Sequence, residues 1–449
     1  MNRNITIAAA VAAVLAGGAA SAQTVAQINN VPAANTINIM GSSAIKNALV
    51  SVIENNFCGG AFQPVNLGVN AGPGNNANFI GISCTPAGGK ATNAGLYNIW
   101  IRYEGGSVTG YLPIVNGVGV KEISGPLLTV LNPTINGEST VNGTDDSFQF
   151  AAGGSFASTI PDFGIGDVEP AALINNNYPS AYVTSVWGGV NNAGMFGLAS
   201  TGLVDEVYAL FVNEGTNATI FTENPLNLTV QMAQNILQHK VSNWSQVTDA
   251  TGAAVVSAAL PITIVNREPG SGSRAATDIL IVGDSCSSAS VTAATLFNKA
   301  GAAQYFSTGD VLSAANTVAG AITYATIENT KPNLSQVSLN GVAPSNLAAA
   351  QGLYPFWVEA QYVNNAANTG ADSAAIVSIV NALQAQGTTA GLADIDVIPG
   401  IAGNTPVHLN PVGNGVVPTG GGGGTVYINP YTRQGHTCGF PLDAATVVP

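Results

Sequence analysis

A nine-residue segment, NREPGSGSR at positions 266–274, concentrates the residue types that bind anions. Its glycines let the backbone approach a ligand closely, and N–H groups at the start of a helix attract negative charge. The hydroxyls of Ser271 and Ser273 can donate hydrogen bonds, and the guanidinium of Arg267 can form a bidentate pair. Because a predicted strand precedes the segment and a predicted helix follows it, the segment is a candidate anion-binding loop.

Arginine is rare elsewhere in the chain. Outside the first 22 residues there are four arginines, and two of them, Arg267 and Arg274, lie in this segment. Solubility does not explain such clustering in a chain with only 8% charged residues. The alternative interpretation is a helix start with a capping serine and a surface ion pair, and the local pattern alone leaves both open.

Three further turns carry similar groups at the ends of predicted strands. The turns GSSA (41–44) and GGS (105–107) offer hydroxyl and backbone donors, and Asp167 ends a third strand. Open α/β sheets bind their ligands at the carboxyl ends of strands. A carboxylate repels a fully ionised anion but can accept a hydrogen bond from a protonated one, so Asp167 would select protonated oxyanions. Taken singly, each turn also fits helix capping or simple turn formation.

Other chemistries lack their motifs. There is no G-x-x-x-x-G-K-[ST] phosphate loop, no G-x-G-x-x-G at the candidate loop and no G-x-S-x-G nucleophile elbow. The three histidines, His239, His408 and His436, are far apart in the sequence. We therefore expect no enzyme, no cofactor and no metal site.

The elements that position these turns alternate between strands and helices. Residues 35–53 predict a strand, a Gly/Ser turn and a helix with a hydroxyl residue as its N-cap. Further strands are predicted at 97–103, 162–167, 207–212, 261–265 and 321–327, and helices near 228–237, 271–281 and 376–383. This alternation predicts an α/β fold with mainly parallel sheets.

The composition limits the function classes. The chain has 449 residues, 46% of them hydrophobic, and a net charge of −13. Ample apolar material excludes a disordered chain. A nucleic-acid binder would need a basic stripe, so we expect no nucleic-acid partner. A buried anion site is compatible with this charge, because it depends on a few aimed groups.

The amino terminus and the cysteines indicate export. Residues 1–22 combine Arg3, an apolar stretch and the small-residue site Ala20-Ser21-Ala22, which is typical of a signal peptide. The four cysteines favour two disulfides in an oxidising compartment, and the most local of three pairings joins Cys58 to Cys84 and Cys286 to Cys438.

The order of these segments resembles the PstS-like periplasmic phosphate-binding proteins of ABC transporters, which have the type II substrate-binding fold. The matching stretches follow one another in family order and are INIMGSSAIKNAL (38–50), RYEGGSVTG (102–110), DFGIGDVEP (162–170), VYALFVNEG (207–215), LTVQMAQNILQHKVSNWSQV (228–247), NREPGSGSR (266–274), GAITYATIEN (320–329) and GLYPFW (352–357).

The resemblance implies a two-lobed α/β fold, the type II periplasmic-binding-protein fold, with two hinge strands and a ligand cleft between the lobes. The strands Val207–Val212 and Ala321–Ile327 are the implied hinges. The implied domains are a signal peptide (1–22), lobe I (23–208 and 326–400, with insertions at about 59–95 and 112–160), lobe II (209–325) and a Gly/Pro-rich extension (401–449).

The resemblance also implies a ligand set for phosphate. Asp167 takes the place of the carboxylate that accepts the phosphate proton, and Ser107 that of a serine ligand. The full implied set is Ser43, Ala44, Ser107, Asp167, Arg267, Ser271, Gly272 and Ser273. This chain departs from some relatives at Pro269, where they have an aspartate that orients the arginine, which leaves Glu268 as a candidate partner. Ser273 replaces the commoner threonine and keeps the hydroxyl.

Two functions follow from the sequence. The first is an exported protein, periplasmic or secreted, that captures inorganic phosphate or a similar tetrahedral oxyanion as a monomer and delivers it to an ABC transporter permease. The alternative is an extracellular surface or adhesion protein that reuses the phosphate-binding fold, as its low charge, Asn/Gly/Ala/Thr-rich composition and insertions would allow.

Overall fold

The computed structural model of the chain describes residues 23, 25–66, 79–103, 106–118, 120–123, 128–130, 148–150, 156–174, 189, 191–216, 220–249, 251–283, 304–305, 307–367 and 370–384, with short strands beyond. Its α-helices are α1 Val25–Asn29, α2 Lys46–Val52, α3 Val108–Asn116, α4 Asn192–Phe196, α5 Val230–Leu237, α6 Gly272–Thr277, α7 Thr308–Ala315, α8 Asn346–Ala350 and α9 Ser373–Gln384. The first strands are β1 Thr36–Gly41, β2 Phe62–Asn66, β3 Phe79–Cys84, β4 Tyr97–Arg102, β5 Val120–Ile123, β6 Leu128–Val130, β7 Phe148–Phe150, β8 Phe156–Thr159, β9 Phe163–Gly166, β10 Thr201–Asn213, β11 Asn227–Leu228 and β12 Thr263–Ile264. The remaining strands are β13 Asn266–Arg267, β14 Gln304–Tyr305, β15 Ala321–Thr326, β16 Leu334–Gln336, β17 Ser338–Leu339, β18 Trp357–Asn364, β19 Val397–Ile398, β20 Val416–Pro418, β21 Thr425–Tyr427, β22 Tyr431–Thr432 and β23 Leu442–Asp443.

A mixed sheet of 13 strands organises the fold. Its order is β12-β15-β10-β18-β9-β1-β4-β3-β2-β7-β6, and β16 and β19 also pair with β10. In the centre, β1 lies parallel to both β4 and β9, so the turns that follow these three strands meet at one edge. The α/β fold is therefore confirmed. The turns that follow β1, β4 and β9 are the sequence-predicted GSSA, GGS and Asp167 turns.

The sheet is less parallel than the alternation of elements predicts. Residues 59–95, implied by the sequence to be an insertion, contain β2 and β3. β2 pairs antiparallel with β3, and β3 pairs antiparallel with β4. Ile80, Ile82 and Cys84 alternate along β3 and pack into the same core cluster. This alternation stabilises a hairpin despite the many Gly, Asn and Pro residues around it.

Strand β10 connects the two halves of the sheet. Its first half pairs antiparallel with β18, and its second half, Tyr208–Val212, pairs antiparallel with β15. After β15, strands β16 and β17 still pair with β10 and β11. The chain then enters β18 beside Phe356, whose carbonyl accepts a hydrogen bond from Tyr208 N–H at 2.9 Å. The implied lobe boundaries stay predictions. The pairings favour Phe356, rather than the implied hinge strand Ala321–Ile327, as the place where the chain passes back to the first half of β10.

The helices follow the apolar spacing in the sequence. In α9 the predicted face of Ile376, Ile379, Val380 and Leu383 is buried. α5 begins after Thr229, whose hydroxyl accepts a hydrogen bond from Met232 N–H at 3.0 Å. This capping satisfies one of the backbone donors that a helix start leaves unpaired.

The disulfide Cys58–Cys84 is confirmed. It joins the end of a π-helical turn, Ile53–Phe57, to the end of β3, with an S–S distance of 2.02 Å. The predicted partners Cys286 and Cys438 lie outside the described residues, as does the predicted signal peptide 1–22. Among the described residues, no helix is both long and apolar enough to cross a membrane.

Glu54, in the π-helical turn, predicts a pH-dependent stability. Its side chain is 4% exposed, and burial raises its pKa to about 7. A carboxyl that keeps its proton in the folded state stabilises the fold at low pH and loses that contribution as pH rises between the unfolded pKa and the folded one. We expect Glu54→Gln to raise the free energy of unfolding by roughly 1–3 kcal/mol at pH 8.

Urea unfolding of both proteins at pH 4 and pH 8 checks this expectation. At pH 4 the two curves should nearly coincide, because glutamate is then protonated in the folded state and largely protonated in the unfolded one. An equal difference at both pH values would show that packing, and not the ionisation of Glu54, causes the change.

Candidate functional site

The Arg267 loop is held between a short strand and a helix start. β13 pairs in parallel with β14, and α6 begins directly after Ser271, its N-cap. Ser271 Oγ accepts a hydrogen bond from Arg274 N–H at 3.4 Å, and the Arg274 guanidinium donates to the carbonyl oxygen of Arg267 at 3.1 Å. The Arg274 side chain also lies 3.7 Å from Asp278 in a buried ion pair. Arg274 therefore fixes the backbone of the loop.

The Arg267 side chain is buried among hydroxyl groups. Its Nη1 donates to Thr308 Oγ1 at 2.8 Å and to Ser273 Oγ at 3.4 Å. Ser273 Oγ lies 2.9 Å from Ser271 Oγ. Burial lowers the pKa of Arg267, because the protein interior disfavours the charged form. A guanidinium nevertheless stays protonated, so the loop carries a fixed positive charge surrounded by hydroxyls.

Asp167 and Ser107 meet at the ends of their strands. The backbone N–H of Asp167 donates to Ser107 Oγ at 2.9 Å. Burial raises the pKa of Asp167, while hydrogen bonds from Ser42, Tyr208 and Ser107 and the charge of Arg267 act in the opposite direction. Within the part of the chain that the structure describes, Asp167 Oδ1 has no hydrogen-bond partner. A buried carboxylate oxygen in this state is available to a ligand that carries a proton.

Gly272 brings the arginine loop against this pair. A Cβ atom added at Gly272 would lie 2.1 Å from Ser107 Oγ and 2.7 Å from Asp167 Oδ2. Only glycine allows so close an approach. The first turn of α6 therefore faces the ends of β4 and β9 directly.

Gly106 makes a second close approach. Its φ is +76°, and a Cβ there would lie 2.6 Å from Ser271 Cα. Next to it, Val108 N–H donates to the carbonyl oxygen of Gly270 at 3.0 Å. The turn after β4 and the arginine loop therefore contact each other through their backbones.

The turn after β1 differs in detail from its prediction. The helix that follows it begins at Lys46, with Ile45 at the N-cap and no side-chain cap, so the predicted hydroxyl cap is wrong. Instead, Ser42 Oγ accepts a hydrogen bond from Ala44 N–H at 3.0 Å, which folds the turn on itself. Ser43 Oγ lies 3.4 Å from Thr308 Oγ1 and so reaches the partner of Arg267.

The structure thus brings seven of the sequence-predicted site residues into one chain of contacts and places Ala44 beside them in the first turn. The residues linked by these contacts are Ser43, Ser107, Asp167, Arg267, Ser271, Gly272 and Ser273. Their role as ligands remains a prediction.

Sequence analysis missed three residues of this cluster. Ser42 and Tyr208 hydrogen-bond Asp167, and Tyr208 also donates to Glu206 Oε2 at 2.9 Å. Thr308 contacts both Ser43 and Arg267. Ser42 adjoins a predicted ligand and could have been found, but Tyr208 and Thr308 lie in apolar or undistinguished sequence that gives no such signal.

The arrangement can bind a small anion. A buried guanidinium, several hydroxyls and the backbone N–H groups of the first turn of α6 lie together with the Asp167 carboxylate. Across the described ranges, no three His, Cys, Asp or Glu side chains are grouped so that they could hold a metal ion.

Comparisons with known proteins find a family model and solved structures that are similar to this chain. Residues 207–378 match the family model of the PBP superfamily domain. Among solved structures, a phosphate ABC transporter substrate-binding protein from Clostridium perfringens with bound phosphate is similar over 81% of this chain and 99% of its own, at 14% identity and a TM-score of 0.45. PstS from Borrelia burgdorferi is similar over 78% of this chain and 92% of its own, at 12% identity and a TM-score of 0.33. A search of curated proteins finds no match.

The family match covers the elements that hold the arginine loop. Residues 207–378 include the second half of β10, the Arg267 loop, Thr308 and all of β18. Over this stretch the chain is similar to the PBP superfamily domain, which supports the predicted resemblance to periplasmic binding proteins at the level of the superfamily.

Proposed function

We propose that this protein binds a tetrahedral oxyanion, inorganic phosphate first, at the cluster around Arg267. One observation carries the proposal: a fully buried guanidinium sits among hydroxyls, with one buried carboxylate facing the same loop. A buried guanidinium among hydroxyl groups can hold a tetrahedral anion through charge-assisted hydrogen bonds, which are stronger than hydrogen bonds between neutral groups. Ser271, Ser273 and Ser107 supply hydroxyl donors that replace the water around the anion.

Asp167 supports phosphate over sulfate. At neutral pH phosphate carries at least one proton, which can be donated to the carboxylate, whereas sulfate carries none and would be repelled. Because burial raises the pKa of Asp167, the site favours a shared proton between carboxylate and ligand.

The biological role we propose is that of an exported, monomeric substrate-binding protein, periplasmic or secreted, that delivers phosphate to an ABC importer permease. The predicted signal peptide at 1–22 supports export, and the superfamily match supports a binding protein rather than an enzyme. Closure of the two halves of the sheet about β10 would bury the ligand. Export and delivery to a permease are parts of the proposed biological role. The anion site itself does not depend on either of them.

A calorimetric titration of the purified chain with phosphate, sulfate and arsenate tests the proposal. We expect one site, with phosphate and arsenate bound at similar affinity and sulfate at least about a hundredfold more weakly. Absence of phosphate binding would contradict the proposal and favour the alternative, an extracellular surface or adhesion protein, which the low charge of the chain would suit.

Asp167→Asn is expected to change this selectivity. The amide removes the negative charge that repels sulfate and can itself donate a hydrogen bond, so the ratio of sulfate to phosphate affinity should rise at least about tenfold. Titration of both anions into the variant measures the ratio. The matched control is Asp249→Asn, in a surface turn whose carboxylate accepts hydrogen bonds from Thr251. An unchanged ratio in the Asp167 variant would show that this carboxylate does not face the ligand.

A further inference from the structure

Thr308 contacts the anion site from a segment that lies well beyond the arginine loop. The parallel pairing of β13 with β14 sets Arg267 opposite Tyr305, and Glu268 N–H donates to the carbonyl oxygen of Tyr305 at 3.1 Å. This register places the first residue of α7, Thr308, next to the guanidinium. Ser307, and not Thr308, caps the helix, because its Oγ accepts from Asp310 N–H at 3.1 Å.

The hydroxyl of Thr308 is therefore not used in capping its own helix. At 2.8 Å, its contact with Arg267 Nη1 is shorter than the 3.4 Å contact that the same nitrogen makes with Ser273. A hydroxyl that accepts from a guanidinium has its own hydrogen left to donate. The oxygen next in line is Ser43 Oγ at 3.4 Å, a long contact that a bound anion can replace.

The place of Thr308 also explains what holds the Arg267 side chain, although no acidic residue stands at position 269. Pro269 stands there and offers no side-chain acceptor. The Thr308 hydroxyl accepts from the guanidinium at 2.8 Å and so fixes its orientation, while the charges of Asp167 and Glu268 also act on Arg267.

We infer that Thr308 is a positioning and ligand residue of this site: its oxygen orients the Arg267 guanidinium, and its hydroxyl hydrogen is donated to the bound oxyanion. The inference rests on the proposed function. It adds a group from a fifth segment, the first residue of α7, to the turns after β1, β4 and β9 and the arginine loop.

Three variants test the inference by phosphate titration. Thr308→Val keeps the shape and removes the hydroxyl, and it should weaken phosphate binding about tenfold. Thr308→Ser keeps the hydroxyl and should restore affinity to within about twofold of the original. Thr317→Val is the matched control, because Thr317 lies exposed just beyond the other end of α7 and donates to Ala314 O. It should bind phosphate like the unchanged chain.

The outcomes separate the two claims. If the unchanged chain binds phosphate and Thr308→Val binds it equally well, the inference is wrong and the proposed function stands. Equal losses in Thr308→Val and Thr308→Ser would also overturn it, because the hydroxyl would then not be the cause. If the unchanged chain binds no phosphate, both the proposed function and the inference fail. Should Thr308→Val fold poorly, Thr308→Ala replaces it with the same expected loss.

Discussion

Arg267→Ala is expected to weaken phosphate binding at least about a hundredfold. Arg267 is 2% exposed, so the substitution would take a buried positive charge away from an anion bound beside it, within a site largely removed from water. Removing one member of a buried charge pair typically costs about 3–5 kcal/mol, which corresponds to a loss of this size or more. Calorimetric titration of the variant with phosphate measures the loss.

Arg267→Lys separates charge from geometry. Lysine keeps the charge but cannot present two parallel donors, so intermediate affinity is expected. Lys240→Ala, an exposed surface position, removes one positive charge far from the loop and serves as the control. If Arg267→Ala bound phosphate as well as Lys240→Ala does, Arg267 would not be a ligand.

Gly272→Ala is expected to disrupt the site by steric conflict. The added methyl group would lie 2.1 Å from Ser107 Oγ and 2.8 Å from Asp167 Cβ, so α6 must move away from the ends of β4 and β9. Both Ser107 and Asp167 would then be displaced from the arginine loop. Because each hydrogen bond to a charged group is worth about 1.5–3 kcal/mol, the loss of both should weaken phosphate binding roughly a hundredfold.

A matched glycine in another helix start provides the control. Gly309 lies in the first turn of α7, and a Cβ there would meet only Ser307 Oγ, at 3.8 Å, an ordinary contact. Gly309→Ala should therefore leave phosphate affinity within about twofold and the helix slightly more stable. Normal phosphate binding by Gly272→Ala would mean that the arginine loop does not pack on Ser107 and Asp167 as described.

Local sequence chemistry predicts most of the proposed site. The NREPGSGSR segment carries its own capping serine and its own close-approach glycines, so its conformation follows from nearest neighbours. The turns after β1, β4 and β9 are predictable because parallel strands bring their carboxyl ends to one edge. Thr308 and Tyr208 are not predictable in this way, because the register of β13 on β14 and the course of β10 bring them to the site.

The hairpin that sequence analysis did not predict has a similar cause. The hairpin of β2 and β3 was hidden by Gly, Asn and Pro residues, although Ile80 and Ile82 supply the alternation that a half-buried strand needs. The place where the chain passes back to the first half of β10 depends on which strands pair with its second half. Because pairing partners are distant in sequence, no local pattern decides between Ala321–Ile327 and Phe356.

The central claim is that five groups from four turns, Arg267 and Ser271 of the arginine loop with Ser107, Asp167 and Ser43, enclose one oxyanion. A crystal structure of the chain grown with phosphate tests it most directly. The account predicts a phosphate bound by the Arg267 guanidinium and the first turn of α6, with one oxygen within hydrogen-bond distance of an Asp167 carboxylate oxygen. Phosphate bound elsewhere, or a site in which Arg267 contacts no anion at saturating phosphate, would contradict it.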